Sequence, residues 1–285
     1  MLSQYRSHPR QWRRNDYVYP VLSRRAGGLS IGVNLNPDTA CNFDCIYCQV
    51  DRTGTPRVRH VEPARLRDEL SYVIQQIQSG ALFDEPAFAD VPTELRAIQD
   101  IAFSGDGEPT TCKQFAECVE ITADVKRAMG LKEVKIVLIT DACYLTRPEV
   151  VNGLAVMDQN QGEIWAKLDA GTEEYYRRIN RPNVPLQHVI DNIIATARVR
   201  SVVIQSLFMR IQGQPPAEGE LLAFVNRLLE ITRAGGCIKQ VQVYTIARRP
   251  AESYVTPLSS AEVDHITALV RTRADLRAEP YYGQE

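Results

Sequence analysis

The alternation of strand-like and helix-like segments is the feature that most constrains the fold of this chain. Six short apolar runs are each followed by a longer segment whose apolar residues recur at helical spacing. Strands that alternate with helices predict parallel pairing through right-handed crossovers, either in an open doubly wound sheet or in a barrel-like sheet. The six predicted strands are Ile31–Leu35, Ile98–Phe103, Lys135–Thr140, Glu163–Asp169, Val202–Phe208 and Gln240–Ile246. The six predicted helices are Pro63–Gln78, Lys113–Arg127, Arg147–Val156, Leu186–Arg198, Gly219–Ala234 and Ser260–Arg271.

Polar residues collect where the predicted strands end. The first strand leads into a loop with three cysteines, and the second ends in the glycine-rich run GDGEPT. The third ends in Thr140-Asp141, and the fourth in Lys167-Leu168-Asp169. Parallel α/β folds place their chemistry at the carboxyl ends of the strands. We therefore expect one functional site at this end of the sheet.

The three cysteines of that loop are Cys41, Cys45 and Cys48, at C-x-x-x-C-x-x-C spacing. Three thiolates can hold three corners of a [4Fe–4S] cube and leave the fourth iron open to a ligand. A disulfide cannot use three cysteines evenly, and a structural zinc site requires four ligands. The pattern therefore indicates an iron–sulfur site whose ligands are also the catalytic residues, acting through the cluster.

The run CNFDCIYC, with Tyr47 just before the third cysteine, resembles the cysteine motif of the radical S-adenosylmethionine (SAM) enzymes. With Phe103–Thr110 and Trp165–Pro182, it is similar to the branch that contains wybutosine-type tRNA modification enzymes and many uncharacterised iron–sulfur oxidoreductases. The resemblance implies a six-unit partial (β/α)6 TIM-like barrel with parallel strands. The core domain would then span residues 31–285, after an N-terminal extension at residues 1–30.

The same resemblance implies the activity. A reduced [4Fe–4S] cluster would cleave SAM to a 5′-deoxyadenosyl radical, which takes a hydrogen atom from a substrate. The cofactors are then the cluster and SAM, and the partners are a one-electron donor of flavodoxin or ferredoxin type and an unidentified substrate: a small molecule, a peptide or a tRNA base. The alternative is an iron–sulfur electron carrier or redox sensor without SAM chemistry, which leaves the run GDGEPT without a purpose.

The resemblance also implies which residues contact SAM. Glycine allows the backbone to approach a ligand closely, so Glu108 and the flanking glycines are expected to act on SAM and not on the cluster. Asp106 and Asp141 depart from the residues that relatives often carry, which puts their roles in doubt. Lys167 and Asp169 form either a SAM contact or a strand-end ion pair, and the pattern does not decide which of Gln205 and Ser206 points inward. The candidates for SAM binding are Tyr47, Ser104, Gly105, Asp106, Gly107, Glu108, Thr140, Lys167, Asp169 and Gln205.

For several other arginines and cysteines the sequence pattern does not decide between a functional and a structural role. Arg181, Arg248 and Arg249 fall in predicted loops and are either ligands of an anionic substrate or solvated surface residues. The remaining cysteines are expected to be small buried residues, and the first two, six apart on a predicted helix, are not expected to share a face. These cysteines are Cys112, Cys118, Cys143 and Cys237.

Charge and hydropathy exclude some classes of partner. The net charge is -2 and the pI is about 6.2, so long-range attraction for a polyanion is weak and nucleic acid is not the favoured partner. No apolar run reaches the length of a membrane span, no membrane partner is expected, and a reducing cytoplasm suits the cysteines. The aromatic and arginine residues of the N-terminal extension indicate either an RNA-contacting arm or, as we favour, a packed extension.

Overall fold

The computed structural model describes residues 12–50 and 58–283. Their contacts group them into two compact units. The first unit comprises residues 12–41, 58–139 and 147–163, and the second comprises residues 42–50, 140–146 and 164–283. Both units alternate strands with helices, as the sequence predicts. The boundary between an extension and a core domain at residue 30 stays a prediction.

The first unit contains four neighbouring strands in the order β1-β2-β3-β4. The pairs β2–β3 and β3–β4 are parallel, whereas β1 pairs with β2 in an antiparallel ladder. The strands are β1 (Val18–Ser23), β2 (Gly28–Val33), β3 (Ile98–Phe103) and β4 (Lys135–Thr140, whose last residue belongs to the second unit). The helices are α1 (Pro63–Gln78), α2 (Phe115–Ala128) and α3 (Pro148–Asp158), with short 3₁₀ turns at Ala81–Asp84, Thr93–Leu95 and Pro109–Thr111.

The second unit carries the other parallel strands, in the order β5-β6-β8-β10, and a short antiparallel pair, β7 with β9. The strands are β5 (Gly162–Lys167, which begins in the first unit), β6 (Val202–Phe208), β7 (Arg210–Ile211), β8 (Ile238–Thr245), β9 (Val255–Thr256) and β10 (Ala278–Tyr281). The helices are α4 (Glu173–Asn180), α5 (Leu186–Ala197), α6 (Glu218–Arg233) and α7 (Ser260–Ala274).

Several predicted elements have the bounds that the sequence indicates, namely α1, β3, β4 and β6. The predicted first strand is wrong in position, since β2 begins three residues earlier, at Gly28, and ends at Val33. The strands β1 and β10 and the helix α4 were not predicted. α4 matters for the site, because it begins at the cap Thr172 and ends at Asn180, in a segment that the sequence suggests is a loop.

Residues 12–23 are packed into the first unit. Trp12, Tyr17 and Tyr19 are buried, and β1 extends the sheet on the outer side of β2. The buried carboxylate of Glu69 on α1 accepts hydrogen bonds from three consecutive backbone N–H groups, those of Asp16 (2.8 Å), Tyr17 (2.8 Å) and Val18 (3.1 Å). This part of the extension therefore has the packed character that we favour. Tyr5, Arg6 and Arg10 lie outside the described residues.

The apolar faces of the helices supply the core of each unit. On α1, Leu66, Leu70 and Ile74 are fully buried at the helical spacing that the sequence shows, and Phe208 packs edge-on against Phe224 in the second unit. Fully burying one such side chain stabilises the fold by about 1.5–3 kcal/mol. Among the described helices, none has the length and apolar character needed to cross a membrane.

Candidate functional site

The first cysteine lies beside the glycine-rich segment in the first unit. The backbone N–H of Glu108 donates to the carbonyl oxygen of Ala40, the residue before Cys41, at 3.3 Å. A Cβ atom on Gly107 would lie 1.8 Å from that same oxygen, so only glycine fits there. The segment therefore packs directly on the start of the cysteine loop, and the predicted role of Gly107 toward SAM stays a prediction.

Two asparagines that follow β2 shape the glycine-rich turn. Asn34 donates to the carboxylate of Asp106 (2.7 Å) and accepts from its backbone N–H (3.1 Å). Asn36 donates to the hydroxyl of Thr111 at 2.7 Å. The Asp106 side chain is thus used to form the turn. No local pattern marks either asparagine beyond its position after a strand.

Glu108 and Ser104 also have structural partners. The Glu108 side chain is 3% exposed and caps the 3₁₀ turn at Pro109–Thr111, accepting from the backbone N–H (3.1 Å) and the hydroxyl (2.5 Å) of Thr110. The carbonyl oxygen of Ser104 accepts from the hydroxyl of Tyr19 at 3.0 Å, and the Tyr19 ring reaches it across Gly32. The predicted SAM contacts of these residues stay predictions.

The second unit holds the other two cysteines on a tight turn. The backbone N–H of Cys48 donates to the carbonyl oxygen of Cys45 at 2.9 Å. Cys45 is buried, Cys48 is half-buried, and Cys41 in the first unit is exposed. Two thiols three residues apart in one turn suit the ligand spacing that the sequence predicts.

A buried polar network surrounds Cys45. The amide nitrogen of Asn180 contacts the Cys45 sulfur (3.4 Å), the Tyr47 hydroxyl (2.9 Å) and the Asp169 carboxylate (3.2 Å). Tyr47 donates its hydroxyl hydrogen to Asp169, whose other oxygen accepts from the backbone N–H of Leu207 at 2.8 Å. Lys167 forms an ion pair with Asp169 at 3.4 Å, and its Nζ lies 4.7 Å from the centre of the Tyr47 ring. Cys45, Tyr47, Lys167 and Asp169, all singled out in the sequence, thus meet in one place.

Burial and charge shift the protonation of this network. Burial raises the pKa of the Cys45 thiol to about 11, although Lys167 and Asn180 favour the thiolate. Burial and the neighbouring Asp169 carboxylate raise the pKa of Tyr47 well above its ordinary value. Burial opposes the charge on Lys167, but the Asp169 carboxylate outweighs it and raises the pKa of the ammonium group. The network therefore keeps a cation and a hydroxyl donor around a carboxylate.

The strand register decides which candidates of the second unit share a face. Lys167 lies opposite Gln205, and Gln205 lies opposite Gln242, in parallel ladders. Side chains at paired positions point the same way, so Gln205 shares the face of Lys167 and Ser206 points to the other. Gln205 is buried and donates to Gln242 at 3.1 Å. Of the two alternatives that the pattern left open, Gln205 is thus the one beside the network.

The end of β4 is a separate turn. The hydroxyl of Thr140 accepts from the backbone N–H of Ala142 (3.0 Å), and the carboxylate of Asp141 accepts from that of Cys143 (2.9 Å). Asn192 on α5 donates to the carbonyl oxygens of Ala142 (3.0 Å) and Cys143 (2.8 Å). Thr140 and Asp141 therefore form this turn, and the predicted role of Thr140 toward SAM stays a prediction.

Two expectations about the remaining cysteines are wrong. Cys112 lies before α2, which begins at Phe115, and hydrogen bonding with the Cys118 thiol lowers the pKa of Cys112. Cys118 and Cys143 are buried, but Cys112 is half-buried and Cys237 is exposed. Not all four are therefore small core residues.

Arg181 is engaged by carboxylates. It forms ion pairs with Asp44 (3.4 Å) and Glu252 (2.7 Å) and contacts the hydroxyl of Tyr254 (3.3 Å). Two carboxylates already pair with the guanidinium, which disfavours the binding of an anionic substrate by Arg181. Its role is to join the cysteine loop to the segment around Glu252.

The donor chemistry of the cysteine loop fits an iron–sulfur cluster. Three thiols lie on eight consecutive residues, and Cys45 already accepts an N–H···S hydrogen bond, which is typical of cluster ligands. Across residues 12–50 and 58–283, no group of three or more His, Cys, Asp or Glu side chains is arranged to hold a metal ion. The assignment of the three cysteines as ligands therefore rests on their spacing and chemistry.

The matched family decides what kind of protein this is. The model of the Radical SAM superfamily matches residues 35–225, which include the three cysteines, the glycine-rich segment and the Lys167–Asp169 pair. The chain belongs to the radical SAM superfamily. It is an enzyme of this superfamily, which implies an iron–sulfur cluster and SAM, and the resemblance of the cysteine motif is confirmed.

Two curated relatives match most of this radical SAM chain. It is 31% identical over 252 residues to UPF0026 protein MJ1312 of Methanocaldococcus jannaschii, a match that covers 88% of this chain and 69% of that protein. It is 25% identical over 256 residues to GTPase Obg of Brachyspira hyodysenteriae, covering 86% of this chain. Because that match covers only 32% of the second relative, its GTPase name is not transferred to this radical SAM chain.

A solved structure shows the fold. The structure of TYW1 with a lysine-pyruvate adduct bound aligns with a TM-score of 0.51 and 17% identity, covering 86% of this chain and 73% of that chain. At this identity the likeness concerns the fold alone. It confirms the predicted fold class, a mostly parallel α/β partial barrel of the radical SAM type.

Proposed function

We propose that this radical SAM enzyme binds one [4Fe–4S] cluster through Cys41, Cys45 and Cys48 and acts on a substrate that is still unidentified. The observation that carries the proposal is the family match over residues 35–225, which contains all three cysteines in one loop. When bound, the cluster and SAM supply reductive cleavage of SAM to a 5′-deoxyadenosyl radical, which takes a hydrogen atom from the substrate.

The chain's own residues would bind and orient these groups. The three thiols must lose their protons to become ligands, which opposes the raised pKa of buried Cys45 and is favoured by the nearby charge of Lys167. Lys167 supplies a cation for the SAM carboxylate, and Asp169 fixes its position. Gln205, on the same face, offers an amide to a polar part of the ligand.

In the first unit, the glycine-rich segment would present its backbone to SAM. Gly105 packs against Asn34 and Gly107 packs against Ala40, and the Asn34 contacts fix the turn that the two glycines form. Ser104, Asp106 and Glu108 are held in this turn by hydrogen bonds, and Tyr47 is held by Asp169 in the second unit. A turn fixed in this way needs little reorganisation when a ligand binds.

For the substrate we favour a small molecule or a peptide over a tRNA base. Trp12, Tyr17 and Tyr19 are buried, so these aromatic rings are not available for stacking on bases. Arg13 is paired with Glu85 and lies over the Trp12 ring, 4.5 Å from its centre. A one-electron donor of flavodoxin or ferredoxin type would reduce the cluster, in a reducing cytoplasm that preserves it.

Anaerobic reconstitution with iron and sulfide tests the proposal. We expect about four irons per chain. Cys41→Ala, Cys45→Ala and Cys48→Ala should each lose the cluster, whereas the control Cys237→Ala, at an exposed cysteine, should keep it. About eight irons per chain would contradict a single cluster.

The same preparation separates the enzyme from the electron carrier. Dithionite-reduced protein should convert SAM to methionine and 5′-deoxyadenosine, measured by chromatography, and the three cysteine variants should not. A stable four-iron cluster with no SAM cleavage would favour the electron carrier or redox sensor. Radical SAM membership makes cleavage the expected result.

A further inference from the structure

Asn180 is in an unusual position for an asparagine. It is the last residue of α4, it is 1% exposed, and its amide nitrogen faces the Cys45 sulfur, the Tyr47 hydroxyl and the Asp169 carboxylate. An amide nitrogen has two hydrogens, so the three acceptors share them. A rotated amide would place its oxygen against a carboxylate, so the acceptors fix the nitrogen toward Cys45.

The backbone at the end of α4 holds the same loop. The carbonyl oxygens of Ile179 and Asn180 accept from the backbone N–H groups of Ile46 (2.9 Å) and Asp44 (3.0 Å). The last carbonyl groups of a helix have no partner within the helix, so the cysteine loop supplies the missing donors. Residues on both sides of Cys45 are thus fixed by the backbone that carries Asn180.

The ion pairs of Arg181 contribute less to this arrangement. Its side chain is 41% exposed, and that of Asp44 is 68% exposed. Ion pairs at such exposure contribute little, because water screens them and two long side chains lose conformational freedom. The buried amide of Asn180 is therefore the side-chain contact through which α4 acts on Cys45.

We propose that Asn180 is a positioning residue that holds Cys45 and, by donating a hydrogen bond to its sulfur, raises the reduction potential of the cluster. This rests on the proposed function. A hydrogen bond to a ligating sulfur withdraws electron density and favours the more negative, reduced state of a cluster. The two backbone hydrogen bonds from α4 and the fixed orientation of the amide keep this contact in place in the folded protein.

The test compares Asn180→Leu and Asn180→Asp with a matched control, Asn192→Leu. Leucine keeps the approximate size without donors, and aspartate keeps the shape but presents an acceptor to the sulfur. Asn192 is another buried asparagine, 5% exposed, which donates to the carbonyl oxygens of Ala142 and Cys143. The measurements are iron per chain and the midpoint potential of the reconstituted cluster by EPR-monitored redox titration.

We expect the potential to become more negative in Asn180→Leu and more so in Asn180→Asp. At fixed potential the reduced-to-oxidised ratio of Asn180→Leu should fall about tenfold, which corresponds to about 59 mV for one electron. Asn192→Leu should keep the wild-type potential. A potential of Asn180→Leu equal to that of the wild type overturns the proposal.

A second readout needs no cluster. In the apoprotein, hydrogen exchange of the backbone N–H groups of residues 44–48, located by peptide mass, should be several times faster in Asn180→Leu than in the wild type. The peptide that contains buried Cys118 serves as the internal control, with an unchanged rate. If Asn180→Leu retains no iron, these rates decide: a faster rate at residues 44–48 supports the proposal, and an equal rate overturns it. A wild-type protein that assembles no cluster would instead contradict the proposed function.

Discussion

Replacing Gly107 with alanine tests how tightly the glycine-rich segment packs on the start of the cysteine loop. The new Cβ would lie 1.8 Å from the carbonyl oxygen of Ala40 and 2.7 Å from the Cβ of Asn36. Carbon atoms essentially never approach non-bonded atoms within 3.0 Å, so the two backbones must separate by more than 1 Å. No flexible side chain can absorb this movement, because the closest atom belongs to the backbone.

The displacement would reach the cysteine that follows Ala40. Ligand distances at a metal site are held to within about 0.2 Å, so a movement of this size takes Cys41 out of ligand position. Overpacking costs about 1–3 kcal/mol, and a clash between two backbones lies at the upper end. We therefore expect Gly107→Ala to lose most of its iron as well as its SAM binding, and the apoprotein to be about 2–3 kcal/mol less stable.

The assay measures iron per chain after anaerobic reconstitution and the free energy of unfolding of the apoprotein in urea. Two further glycine-to-alanine variants should show smaller losses of iron. A Cβ at Gly105 meets the side chain of Asn34 at 2.3 Å and not a backbone atom, and a Cβ at Gly219 meets nothing within 4 Å. We expect intermediate iron retention for Gly105→Ala and wild-type retention for Gly219→Ala. If Gly107→Ala retains as much iron as Gly219→Ala, the packing argument is wrong.

Three further predictions concern the stability of the apoprotein. Burial raises the pKa of Asp100 to about 6, above its unfolded value of 3.8, so the wild type should lose stability as the pH rises from 4 to 7. Asp100→Asn should cancel up to about 3 kcal/mol of this loss, and an equal change of the unfolding free energy with pH in both proteins, measured in urea, would contradict it. Glu69→Ala leaves three backbone N–H groups without their acceptor and should cost about 3–5 kcal/mol by urea unfolding; a loss below 1 kcal/mol would show that water replaces the carboxylate. Ser259→Ala removes the capping box of α7 and should cost about 1 kcal/mol, whereas Ser71→Ala, at a half-buried position inside α1, should cost far less.

The elements that the sequence predicted correctly are those with local periodicity. The strands β3, β4 and β6 are apolar runs bounded by turns, and α1 buries its apolar residues at helical spacing. In contrast, β1 has a proline in its middle and lies at the edge of its unit, where a missing backbone donor is tolerated. Its position depends on Glu69, a residue 51 positions away from Val18, and no local pattern reveals that contact.

The sequence alone indicated the family and the candidate site residues, because the cysteine spacing, the glycine-rich strand end and Lys167-x-Asp169 are each local patterns of a few residues. The tertiary structure alone decided how these groups are held. Asn180 lies 135 positions from Cys45, and it ends a short helix whose residues are polar enough to suggest a loop. Gln205 was distinguished from Ser206 by the register of two parallel ladders. Hydrogen bonds between distant residues depend on how the chain packs, and packing is a property of all the elements together.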